Sequence, residues 1–148
     1  MRIANDNTTA RLLAFVDDEI GDGLVRDLQR AVGSAGLSRA WSLAPPEFVD
    51  SIDPEGARTV GCLLPLHGTH DEQGEAIPSN LDRASYADTA ALVELLAPVS
   101  RRWQVDIGFE LNGESVGWLQ GGEPDMSLRE GMLAAWLAHI NGTESPAE

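Results

Sequence analysis

The sequence of 148 residues predicts a single α+β (or α/β) domain: a mixed sheet of about five strands with a C-terminal β-hairpin and about three helices. Three observations carry that prediction. A strand, helix, strand pattern runs from Arg11 to Leu43. Two later stretches repeat apolar residues at helical spacing, and between them Asn112-Gly113, a favoured type I′ turn dipeptide, joins two alternating segments. Chain length fits one domain over 1–148, with 1–9 and 143–148 expected to fray.

Taken in order, Leu12, Leu13, Phe15 and Val16 form a short apolar run that stops at Asp17-Asp18-Glu19. A helix starting near Thr8 is the alternative for that run. Ile20, Leu24, Leu28 and Val32 then recur every four residues, which places one apolar stripe on a helix ending near Gly33 or Gly36. Leu37 to Leu43 reads as a second strand closed by Pro45-Pro46, and Pro45 to Gly56 as an irregular or partly helical excursion. Arg58 to Leu66 is the most continuous apolar run and predicts a central strand. From His67 to Asp82 no periodicity is visible, and a loop of that length is uncommon unless functional.

Arg83 to Val99 is helical by the spacing of Tyr86, Ala90, Val93 and Ala97, with Asp82 as its N-cap and Arg101-Arg102 complementing its C-terminal dipole. Pairing outward from Asn112-Gly113 sets Leu111 opposite Glu114, Phe109 opposite Val116 and Ile107 opposite Trp118. Val105, Ile107, Phe109, Leu111, Val116 and Trp118 would share an apolar face. Asp106, Gly108, Glu110, Ser115, Gly117 and Leu119 would share the other, with a groove where the two glycines meet. Ser127 and Glu130 have capping-box spacing ahead of the stripe Leu128, Met132, Trp136 and Ile140, and Asn141-Gly142 supplies the stop.

Composition excludes several chemistries. All ten basic residues are arginines, so Schiff-base catalysis and the lysine-dependent phosphate loop are ruled out. The single cysteine, Cys62, lies in an apolar run that would bury it and leave it inert. A net charge of -14 opposes nucleic-acid and anionic-membrane partners and suits a basic protein partner. No stretch approaches the roughly 20 apolar residues of a membrane span, and MRIANDNTTA lacks a signal-peptide core, so a cytoplasmic protein is expected.

Chemical motifs are weak. Asp17-Asp18-Glu19 is placed like the acidic pocket of response-regulator receivers, but Pro65-Leu66-His67 stands where that family has an aspartate, and its lysine is missing. The same stretch fails as a calcium loop because Ile20 would occupy an oxygen-ligand position. Gly113-Glu114-Ser115-Val116-Gly117 spells the nucleophile elbow, with Asp125 and His139 downstream, yet it falls on a strand–turn–strand. His67, His70, Asp71 and Glu72 could hold a divalent metal, the alternative enzyme or ligand-binding reading. The plainer reading of that segment is a solvated acidic loop. His139 suits a helix surface, and Trp41 and Trp103 are the tryptophans left over as interface anchors.

Phe109-Glu110-Leu111-Asn112-Gly113-Glu114, Gly117-Trp118-Leu119 and the run Asp125 to Leu133 with Trp136 resemble the C-terminal hairpin and helix of small acidic bacterial toxin-immunity proteins. The resemblance covers about a fifth to a quarter of the chain and carries structure, not chemistry. It implies a non-catalytic inhibitor, without cofactor, that binds one cognate toxin. Asp71, Glu72 and Glu75, with Asp106 and Glu110 as a second patch, are the acids expected to meet a basic toxin. An adaptor or subunit of an intracellular complex is the remaining alternative.

Overall fold

The computed structural model describes residues 9–68 and 79–144. Its elements are β1 (Thr9–Val16), α1 (Asp22–Ser38), β2 (Glu47–Ile52), β3 (Arg58–His67), α2 (Ser79–Trp103), β4 (Asp106–Leu111), β5 (Glu114–Gln120), β6 (Glu123–Pro124) and α3 (Ala135–Glu144), α3 being entered through a π-helical segment, Ser127–Ala134. The α+β class, the C-terminal hairpin and the three helices are as the sequence predicts. The sheet is larger and simpler than expected: six strands in the order β2-β3-β1-β4-β5-β6, every neighbour antiparallel, where a mixed sheet of five was predicted.

The sixth strand is the two-residue β6, and β2 replaces the strand expected before Pro45-Pro46. Leu37 to Leu43 does not form a strand. The helix runs on to Ser38, and Trp41 folds back so that its indole N–H donates to the Ala35 carbonyl at 2.9 Å. The strand starts only after the prolines, at Glu47, and pairs with β3 as a hairpin closed by Asp53. The Asp53 carboxylate accepts the backbone N–H groups of Glu55 and Ala57, both at 2.9 Å. An acid-rich, proline-bounded segment thus reads as irregular in sequence although its interior, Glu47–Ile52, alternates across a sheet edge.

β1 lies in the middle because its even positions are buried. Leu12, Ala14 and Val16 face the helices together with Val60, Cys62, Leu64 and Leu66 of β3, Ile107 and Phe109 of β4 and Leu119 of β5. Leu24, Leu28 and Val32 of α1, Leu92, Leu96 and Val99 of α2, and Leu128 and Met132 of the π-helical segment close the core from the other side. Full burial of a side chain of this size is worth about 2 kcal/mol.

The hairpin departs from the expected register one step beyond its turn. Leu111 opposes Glu114 and Glu110 opposes Ser115 as predicted, but a β-bulge follows, so Phe109 meets Gly117, Gly108 meets Trp118 and Ile107 meets Leu119. Trp118 therefore leaves the core face and Leu119 enters it. Gly117 is the reason: its φ is +148°, and a Cβ there would come within 2.5 Å of the Leu128 backbone N. The close approach of the π-helical segment demands the bulge.

That segment is not started by the predicted capping box. Asp125 does the work instead, its Oδ1 accepting from the N–H groups of Leu128 at 2.9 Å and Trp118 at 3.2 Å. Asp82, expected as a cap of α2, sits inside the helix that begins at Ser79 and accepts the Trp136 indole N–H at 2.8 Å.

Candidate functional site

The three helices stand side by side on one face of the sheet. Trp103 of α2 donates its indole N–H to Asp27 of α1 at 2.8 Å, and Tyr86 of α2 meets Trp136 of α3 edge to face at 5.6 Å. Among the described residues no element covers the opposite face, whose side chains are the alternate positions of β1 to β5.

Strand register arranges that face in rows. One row crosses the sheet as Val49, Gly61, Phe15, Gly108 and Trp118, and the next as Glu47, Leu63, Leu13, Glu110 and Ser115. On the far side of the first row Asp17 donates its backbone N–H to the Asp106 carbonyl at 2.9 Å, and Asp106 pairs in turn with Gln120. Leu13, Phe15, Val49, Leu63, Pro65 and Trp118 are all half-buried, each flanked by neighbours but none roofed by another described element. They form a continuous apolar band, with Glu47 and Glu110 on one side of its central row and Asp17 and Asp106 on the other. Arg11, opposite Pro65, is the cation among these positions.

Glycine makes the centre of the band flat. Phe15 and Trp118 meet edge to face at 5.7 Å and 73° directly over Gly108, where a Cβ would fall 2.6 Å from Phe15 Cζ and 2.9 Å from Trp118 Cζ3. The groove expected between Gly108 and Gly117 does not form: the bulge sets Gly117 on the helix side, and an aromatic pair covers Gly108. Such a pair adds about 1 kcal/mol beyond its area.

The predicted acids Asp106 and Glu110 both lie on this face, four residues apart along β4. Trp41 and Trp103 do not join them. Trp41 is half-buried beneath the Arg39 guanidinium, 4.8 Å from its ring centroid, and Trp103 closes over Gly23 at the start of α1 with 36% of its surface exposed. Asp71, Glu72, Glu75 and His70 lie outside the described residues. His67 does not stand free: its Nε2 lies 2.7 Å from Ser42 Oγ, and its backbone N–H donates to Ser85 Oγ. Among the described residues no group of three or more metal-ligating side chains converges.

Among the described residues neither Ser115 nor Cys62 is a poised nucleophile. Ser115 sits exposed in the hairpin strand, as its strand–turn–strand setting implied. The Cys62 thiol, buried in the core, is pushed up to about 12 by desolvation alone. The buried acid Asp88 is structural, accepting the Ser42 N–H at 2.8 Å and pairing with Arg39 at 3.2 Å. On the helix side of the sheet edge, a two-pronged hydrogen bond from Arg58 holds the Asp50 carboxyl below its ordinary value.

Leu13, Phe15, Leu63 and Glu47 were missed as site residues in the sequence. Their signal was present in the continuity of the apolar runs, since Leu12, Leu13, Phe15 and Val16 load both faces of a strand that the helices cover on only one. In comparisons with protein-family models, curated proteins and solved structures, none matches the chain. No helix among the described residues is long and apolar enough to cross a membrane.

Proposed function

We propose that the chain is a non-catalytic binding protein, an immunity protein that acts in the cytoplasm and neutralises a cognate bacterial toxin by direct contact. The observation that carries this reading is the apolar band that no other described element covers, with carboxylates on both sides of it that pair with no cation among the described residues. An unroofed apolar surface on a folded domain marks a contact site, whereas the singly exposed Leu37, Ile52 and Met126 need no partner. The rim sets its sign: Asp17, Glu47, Asp106 and Glu110 select a partner carrying Lys and Arg, and a net charge of -14 speeds its approach. Asp71, Glu72 and Glu75 are further candidate contact acids on sequence grounds alone. The same face also suits a subunit of an intracellular complex, and the two readings part on what the partner does.

The test is capture from a lysate of the source cells, with the parent chain and with Glu47→Lys/Glu110→Lys as paired baits. A basic protein held by the parent, lost from the variant, lethal when expressed alone and harmless when co-expressed supports the proposal. A captured set that does not respond to the substitutions removes this face from it. A face-dependent partner without toxicity moves the assignment to the complex subunit.

A further inference from the structure

We infer that the open face receives a basic amphipathic α-helix of its partner, about three to four turns long, laid across the strands. The inference rests on the protein-binding reading above and adds the shape of what binds. The band is longer across the strands than along them. Val49 on β2 and Trp118 on β5 are four strand spacings apart, about 19 Å. A helix of about 13 residues has that length.

Width agrees as well. The row holding Glu47 and Glu110 and the row holding Asp17 and Asp106 flank the Phe15–Trp118 row at two residues' rise on either side, so they stand about 14 Å apart. A helix with its side chains is about 10–12 Å across. Apolar residues at i, i+3, i+4 and i+7 would lie on Phe15, Leu13 and Trp118, and Lys or Arg on each shoulder would reach one carboxylate row. The Phe15 and Trp118 rings, lying over Gly108, floor the middle of the track.

Charge excludes the competing occupants. A second copy of this chain would bring carboxylate row against carboxylate row at a net charge of -14 each, and an anionic membrane or nucleic acid meets the same repulsion. An extended peptide would find its hydrogen-bonding partners at the free edge of β2, not on the face.

Two 14-residue peptides of identical Leu and Lys content test the shape, one with Leu at helical spacing and one strictly alternating, each titrated into the full chain and followed by amide chemical shifts. The expected result is tighter binding of the helical-period peptide by tenfold or more, with shifts centred on Leu13, Phe15, Gly108 and Trp118. Asp106→Lys/Glu110→Lys should weaken it tenfold or more, and the charge-matched Glu94→Lys/Glu130→Lys, away from the face, less than twofold. Equal affinity for both peptides, equal loss in both variants, or shifts elsewhere overturns the helix. Binding of neither peptide also overturns it, while the protein-binding reading is judged separately, by the capture with Glu47→Lys/Glu110→Lys.

Discussion

Gly117 links two parts of the molecule that sequence patterning treats separately. Its φ of +148° permits the bulge, and its missing side chain admits the Leu128 backbone. Gly117→Ala should therefore lower the unfolding free energy by about 3 kcal/mol, through strained backbone plus overpacking. Chemical denaturation monitored by tryptophan fluorescence measures it, and a loss under half that size would mean the segment can move aside. Neither constraint is visible in the string Ser115-Val116-Gly117-Trp118, because a bulge is set by what packs on the strand. Cys62 is the opposite case: its inertness was legible from its apolar neighbours. With its thiol pushed up to about 12, it stays protonated at neutral pH. An aromatic disulfide reagent should label it no faster than the protein unfolds, and labelling at the rate of a free thiol would show that the core opens locally.

At the level of elements, the β2–β3 hairpin shows how a proline-bounded, acidic stretch can still make a strand. Its turn end is pinned by the Asp53 turn and by Arg58 bonded to Asp50 through both Oδ1 and Oδ2 at 2.9 Å. The Asp50 carboxyl is held below its ordinary value chiefly by that hydrogen bond. A group lowered in the folded state contributes stability above its unfolded pKa, and that contribution disappears as pH falls through the folded value. Asp50→Asn should therefore melt earlier than the parent at neutral pH, and the two curves of melting temperature against pH should converge below about pH 4. Parallel curves over the whole range would show that the pair contributes nothing. α1, α2 and the turn at Asn112-Gly113 were legible because their periods and dipeptides are local signals. The start of β2 and the Asp125 cap were not, since one depends on where Trp41 folds back and the other on a carboxylate reaching two elements at once.

For the whole molecule, one layer of helices on one sheet leaves a face whose chemistry works against the isolated chain. Asp17 and Asp106 stand opposite each other, and among the described residues no cation pairs with Glu47 or Glu110. Neutralising Glu47, Asp106 and Glu110 together, as Gln, Asn and Gln, should raise the melting temperature at low ionic strength by a few degrees, and added sodium chloride should shrink the gain. A lower melting temperature would show that those acids hold the sheet together. The class and the hairpin were written in the sequence; of the candidate face, Asp106 and Glu110 were named from the sequence and share it, whereas Trp118 was assigned to the core, because alternation alone does not show the bulge. The position of β1 has a further consequence, for folding. β2–β3 and β4–β5 are local hairpins, but the strand that joins them leaves the ribosome before either. It waits for partners ending at His67 and Leu111. The sheet therefore closes through contacts distant in sequence, which places refolding in the range of milliseconds to seconds and not microseconds. Until then a nascent chain carries its most apolar strand unpaired, the segment for which a chaperone or an early binding partner would compete.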